Sequence, residues 1–337
     1  MEILYLTDIH DDLKNLRYVI QTTDADAYII SGDLIYKAFF TEDKLYHFLE
    51  VQEDFYAYIK RNALDQAPYE LAMDILESPH RYPGKIRSEA AEYRMLFQQA
   101  AVNMKEKYAT IRDLIQRYTN RPVMMIPGNY DMDLQYTALY DLDMHKNTKV
   151  IDGIRFSGYG GAPIITPGIP EMLSVAYYED MQHRPSISEP RDFLIRENPH
   201  VAILHNPAYG TLDKLPRYGH CGSLGVREYI DEKSPVLVLS GHVHEDYGLL
   251  RIGETFFLNP SNFGATESLT GIEDGGTYCK FELKKKNEKV YLSKVIWYRL
   301  VGRDHIAIAE VHIDFNLRAS QEILNEIEFA KFERFLR

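Results

Sequence analysis

Cysteine is nearly absent: Cys221 and Cys279 are the only two in 337 residues. So low a count excludes a disulfide framework and, without a C-x-x-C spacing, a thiolate zinc site; both read as small buried hydrophobes in a reducing compartment. Positive charge is in deficit, with 38 Lys and Arg against 50 Asp and Glu for a net charge of −12. That balance argues against nucleic acid as a partner, since phosphate binding would need locally supplied cations. Long apolar runs are missing too: none reaches the ~18 residues of a membrane span. The opening MEILYLTDIH has neither the basic nor the apolar region of a secretory signal. A cytoplasmic protein with no membrane partner is expected.

Short, continuous apolar runs that end in Asp, Asn, His or Gly are what the chain does have. Ile3 to Leu6 precedes Asp8 and His10, Ala27 to Ser31 precedes Gly32 and Asp33, and Val123 to Ile126 precedes Gly128 and Asn129. Val201 to Leu204 precedes His205, and Val236 to Ser240 precedes Gly241, His242 and His244. Runs of this kind read as strands covered on both faces, and all five are expected to be central. Asp11 or Asp12 can cap a helix carrying Leu16 and Ile20, and a second helical pattern follows Gly222. Turn residues at Asp152-Gly153, Gly253-Glu254 and within Lys284 to Lys289 predict antiparallel hairpins.

Glycine is scarce between residues 36 and 121, where Gly84 stands alone and no strand-like run occurs. Thr41 followed by Glu42 and Asp43 predicts a helix start. Tyr93, Phe97, Ala100, Met104, Tyr108, Ile111, Ile115 and Tyr118 then step by 4, 3, 4, 4, 3, 4 and 3, one apolar seam. A helix over 86–118 would be ~50 Å long at ~1.5 Å per residue, longer than a sheet needs as cover. The expected organisation is a core of residues 1–35 and 121–283 and an inserted helical hairpin or subdomain, 36–120, projecting from it. Residues 284–337 would extend the core with strands and a helix over Ala319 to Phe335. The seam raises self-association, a homodimer through the insertion, as an expectation.

Three carboxylate or carboxamide groups (Asp8, Asp33, Asn129) and four imidazoles (His10, His205, His242, His244) follow five buried strands. The strand ends of an α/β sheet are where ligand sites form. This donor mixture suits divalent metals of intermediate hardness, and seven donors are too many for one catalytic ion with open positions. Two ions sharing one carboxylate are expected, Mn²⁺ first, with Fe, Zn²⁺ or Ni²⁺ as alternatives.

The pattern Asp8-Ile9-His10, Gly32-Asp33, Gly128-Asn129-Tyr130-Asp131, His205 and Gly241-His242-Val243-His244 resembles the calcineurin-like metallophosphoesterase family, D-x-H, G-D, G-N-H-[DE], H and G-H-x-H. The text around His205-Asn206-Pro207 and His220-Cys221-Gly222 is similar to its prokaryotic small-phosphoesterase branch. The resemblance implies an α/β fold, a sandwich of two mixed β-sheets flanked by helices. It implies that Asp8, His10, Asp33 and His244 hold one metal, that Asp33, Asn129, His205 and His242 hold the other, and that Asp33 bridges. It implies phosphoester hydrolysis by a hydroxide held between the ions, with Asp33, Asn129 and Asp131 in the catalytic machinery.

One position departs from the family. Tyr130 stands where the motif has the histidine that protonates the leaving group, and a phenol of pKa ~10 is a poorer acid near neutrality than an imidazole of pKa ~6.5. The expectation is a small-molecule substrate, a phosphodiester or nucleotide-like ester, with His220 as substitute acid and Asn129, Asn206 and His220 contacting substrate. A phosphomonoesterase or protein phosphatase, and a non-catalytic metal-binding scaffold, remain open readings.

Overall fold

The structure, a computed structural model, describes residues 1–164, 166–183, 186–268, 271–332 and 334–337. Strands β1 (Glu2–Leu6), β2 (Ala27–Ser31) and β3 (Val123–Ile126) run parallel to one another. A second sheet is built from β4 (Asn147–Ile151), β5 (Ile154–Tyr159), β6 (Val201–Leu204), β7 (Leu237–Leu239), β8 (Gly248–Ile252) and β9 (Thr255–Asn259). The C-terminal strands β10 (Thr277–Lys286), β11 (Lys289–Val301), β12 (Asp304–Ile313) and β13 (Ala319–Ile323) join the first. The spatial orders are β13-β12-β11-β10-β1-β2-β3 and β8-β9-β7-β6-β5-β4. Both sheets are mixed, as the resemblance implies, because β5, β6, β7 and β9 are parallel while β4 and β8 are antiparallel edges.

Why the interiors of the central strands are apolar follows from their two faces. Ile3, Tyr5, Ile29, Met124 and Ile126 point into a core shared with Val201, Ile203, Leu237 and Leu239 of the opposite sheet. The alternate residues Leu4, Leu6, Tyr28, Ile30 and Met125 pack under helices instead. On the far side Ala202, Leu204 and Val238 pack under α5 (Glu189–Glu197) and α6 (Leu224–Lys233). A strand covered on both faces has no position for a polar side chain except past its end. The expectation of five central strands fails at β3, an edge strand; its outer side is closed by Leu142 to Met144, which exchange backbone hydrogen bonds with Met125.

The long segment between β2 and β3 forms three helices rather than two. They are α2 (Glu42–Asn62), α3 (Pro68–Glu77) and α4 (Gly84–Tyr118), after α1 (Leu13–Thr22) between β1 and β2. The α4 seam is an internal surface: Tyr93, Ala100, Met104, Tyr108, Ile111 and Ile115 are buried in one continuous core with α1, α2, α3 and the outer face of β1 to β3. The seam of the insertion is therefore an internal surface, and the apolar face invoked for a homodimer is covered by the chain itself.

The helix expected over Ala319 to Phe335 is also corrected. Asp314 Oδ1 accepts from the N–H groups of Asn316 and Arg318 at 2.8 and 2.9 Å, reversing the chain so that β13 pairs along the open edge of β12. Helix begins only at the Asn325 cap, as the single turn α7 (Glu326–Phe329). Phe335 then closes the inter-sheet core by stacking on Trp297 at 4.6 Å.

His145 checks this packing. Its Nδ1 accepts from the Gly160 N–H at 2.9 Å, and burial, with Lys146 beside it, pulls its pKa down to about 4. Its contribution to stability is therefore fully present above the unfolded value of ~6.5 and is lost as pH falls through about 4. An NMR titration of the His145 ring should give a midpoint about 4; a midpoint near that of a free imidazole would contradict this packing.

Candidate metal centre

The carboxyl ends of β1, β2, β3, β6 and β7 converge where the two sheets meet, and the loops leaving them carry all seven sequence-predicted donors. Four of these residues bend the chain through the left-handed region: Asp8 (φ 54°), His10 (46°), Asp33 (48°) and His242 (64°). Such backbone is unfavourable for L residues and persists only where surroundings enforce it. Here the two N-terminal loops enforce it mutually, through Asp8 N–H to Gly32 O at 3.0 Å and His10 N–H to Asp33 O at 2.9 Å. Two motif glycines have a steric reason. A Cβ at Gly128 would lie 2.1 Å from Asp33 Oδ1, and one at Gly241 would lie 2.0 Å from Thr7 Oγ1 and 2.3 Å from Asp8 Oδ2.

The donors fall into two groups, Asp8 with His10 and His244, and Asp33 with His205 and His242, each with ligand atoms within 4.8 Å of one another. Asp33 lies between them: its Oδ2 is 3.6 Å from His10 Nε2 and 3.3 Å from His205 Nε2, while its Oδ1 accepts from the Tyr130 N–H at 3.0 Å. Asn129 Oδ1 is 3.0 Å from His205 Nε2. His205 is oriented from behind, because a carbonyl only accepts and its Nδ1–H must donate to Ser31 O at 2.9 Å. Asp8 is oriented by the Thr7 hydroxyl at 2.6 Å and the His242 N–H at 3.2 Å.

Without a cation the groups share charge among themselves. Burial alone would raise both carboxyls, but His244 and His205 hold Asp8 at about 2, and His205 and His10 hold Asp33 low. Burial opposes a charged His205, yet Asp33 and Asp8 push it up to about 9, while burial and His205 pull His242 down to about 4. The donor set fits a divalent cation in each group. His244 Nε2 lies 3.0 Å from Asp8 Oδ1 and is buried without the alignment of a hydrogen bond, two donor atoms close together as a shared cation requires.

The remaining predicted residues divide. Tyr130 is at the site, its ring centroid 6.2 Å from that of His10 and 5.5 Å from that of Tyr36, and burial pushes its phenol upward. Asp131 is corrected: it is fully buried, and its two oxygens accept from the N–H groups of Leu34, Ile35 and Gly128 and from the Tyr108 hydroxyl. It holds the loops together and has no oxygen turned to a reacting group. Asn206 is buried and donates its amide to the Tyr177 hydroxyl at 2.9 Å. His220 is in neither donor group, its Nδ1 held 2.6 Å from Asp213 Oδ1.

Sequence reasoning missed the bracing from α4. Lys107 Nζ lies 2.7 Å from both Asp11 Oδ2 and Lys37 O, and the neighbouring Tyr108 hydroxyl accepts from the Met132 N–H while donating to Asp131. Consecutive helix positions that clamp three distant loops leave no mark in a sequence pattern.

A family model described as calcineurin-like phosphoesterase matches residues 96–246. The chain carries a calcineurin-like phosphoesterase domain. That match begins inside α4 and takes in Asn129, His205, His242 and His244; Asp8, His10 and Asp33 lie outside it and reach the calcineurin-like site through the fold. One solved crystal structure aligns over 96% of this chain and 99% of its own at TM-score 0.51 and 14% identity, a likeness of fold. A predicted phosphoesterase from Streptococcus pneumoniae TIGR4 aligns over 96% of this chain and 97% of its own at TM-score 0.34 and 12% identity. The protein MJ1162 of Methanocaldococcus jannaschii is 26% identical over 171 residues, 48% of this chain and 70% of that protein. The matched domain implies metal-dependent phosphoester hydrolysis, and among the described residues the two donor groups could hold metal. Among the described residues no helix is long and apolar enough to cross a membrane.

The close approach at Gly128 gives a direct test. Gly128→Ala should lower stability in urea unfolding by about 1–3 kcal/mol, the usual cost of overpacking. Gly84→Ala, whose Cβ meets nothing within 4 Å, should be neutral or slightly stabilising. Equal stability of the two variants would contradict the crowding against Asp33.

Proposed function

We propose that this protein is a two-metal phosphodiesterase acting on small, nucleotide-like substrates, with Mn²⁺ the preferred ion, in the reducing environment of the cytoplasm. The observation that carries the reading is Asp33 Oδ2 lying between His10 and His205, the arrangement a carboxylate shared by two cations requires. Asp8, His10, Asp33 and His244 would hold one ion and Asp33, Asn129, His205 and His242 the other. When bound, the pair supplies Lewis acidity and an activated water at neutral pH. The chain's own residues do the positioning. Ser31 O keeps His205 Nδ1 protonated so that Nε2 faces inward, and Thr7 and the His242 N–H aim the Asp8 carboxylate.

Two further observations support the substrate class. A cavity of about 700 Å³ opens beside His244, with Tyr247, Phe332, Lys214 and Arg334 in its lining. Aromatic faces with cationic groups suit the distal part of a nucleotide-sized ester, and Glu245, Asp246, Glu273 and Asp274 share the lining with those cations. Tyr130 is the second: a half-buried phenol with a raised pKa releases its proton poorly, which favours substrates whose leaving group departs without a strong acid.

The test compares bis(p-nitrophenyl) phosphate with p-nitrophenyl phosphate in Mn²⁺, with Asn129→Ala as blank. The diester should turn over faster, and the blank should lose about 10²-fold or more. Tyr130→His should raise the monoester rate relative to the diester. Faster monoester cleavage by the unaltered protein would replace this reading with a phosphomonoesterase. No turnover with both ions bound would leave a metal-binding scaffold.

A further inference from the structure

Asn129 is the one carboxamide of the donor set, and its acceptor end and donor end leave its orientation open by residue type alone. Its surroundings resolve the ambiguity. Thr166 Oγ1 lies 2.9 Å from Asn129 O and 2.9 Å from Asn129 Nδ2. A carbonyl oxygen only accepts, so the threonine proton must go to Asn129 O, leaving only lone pairs on Oγ1. Those lone pairs demand the NH₂ end of the carboxamide, and the opposite end, Oδ1, then faces His205. Thr166 is 2% exposed, so water does not compete for either bond.

The loop that carries Thr166 is tied to the insertion. Five residues on, Glu171 accepts from the Tyr93 hydroxyl of α4 at 2.6 Å, from the Tyr69 N–H at the start of α3 at 2.8 Å, and from Gln52 Nε2 of α2 at 3.2 Å. One carboxylate thus gathers all three inserted helices, and Gln52 also reaches the carbonyl of Ile169, which is buried in the same core.

We infer that Thr166 is a positioning residue for the Asn129 donor oxygen and that Glu171 anchors the Thr166 loop to the inserted helices, so that the insertion sets the geometry of the metal centre from outside it. The inference rests on the metal reading above and goes beyond it in assigning the insertion a role. Neither residue belongs to the donor set, and neither Thr166 nor Glu171 has to touch substrate for the role.

The experiment uses the full chain and two readouts. In metal-free protein, hydrogen exchange of the Asn129 side-chain amide by NMR should be slow; Thr166→Val, which removes both bonds at constant shape, should release it, and Thr166→Ser should restore protection. By calorimetry with Mn²⁺, Thr166→Val should weaken one of two ions by about 10–100-fold, the range for partners behind a ligand, and leave the other unchanged, with Thr166→Ser near normal. Glu171→Gln, or the milder Tyr93→Phe, should weaken the same ion and add little in the Thr166→Val background, since two steps of one route are not additive. Undiminished amide protection in Thr166→Val, normal Mn²⁺ affinity in that variant, or fully additive effects of Glu171→Gln would each overturn the inference. Failure of the unaltered protein to bind Mn²⁺ would instead overturn the two-metal reading, while the amide exchange would still decide the role of Thr166.

Discussion

The Asp33 carboxylate is the point on which both sheets and both donor groups depend. One oxygen is held by the backbone after β3, and the other faces imidazoles from the β1 loop and the β6 loop. Asp33 itself is held on left-handed backbone, and Gly128 must lack a side chain for the carboxylate to fit. Burial would make the group costly if it were left alone, which is why three elements crowd charge and N–H donors around it. The same requirement explains the polar residues clustered past strand ends that are otherwise wholly apolar.

Around this centre the protein has built a frame rather than a lid. The C-terminal half of α4 supplies Lys107 and Tyr108 to the loops after β1, β2 and β3, and Asp131 binds two of those loops to each other. Rigid support of this kind is what a metal centre needs if its donors are to be preorganised. On the opposite side, the strand–turn–strand of the C-terminus extends the first sheet, and the last residues close the inter-sheet core against Trp297.

Several features were legible from the residues because they obey local rules. The seven donors follow apolar runs, hairpins turn at Asp-Gly or Gly-Glu, and the α4 seam keeps its helical step. Others were not legible. The edge position of β3 depends on which strands find each other in space. The C-terminal segment carries apolar residues that fit a helix, but the Asx turn at Asp314 and the vacant edge of β12 made part of it a strand. Asp131 stands in the motif near Asn129, yet its oxygens are filled by the neighbouring Gly128 N–H and by the backbone donors of Leu34 and Ile35, almost a hundred residues away in sequence.

By itself, the sequence determined the family pattern, the donor types and the continuous apolar runs that bury each strand on two faces, since all of these are set by neighbours along the chain. Only the tertiary structure decided where the insertion lies, which oxygen of Asp33 faces which histidine, and which carboxylates are free for chemistry rather than filled by structure. Those outcomes depend on contacts between segments far apart in sequence, where hydrogen-bond direction and close packing, not residue type, select among arrangements that the same residues would otherwise permit.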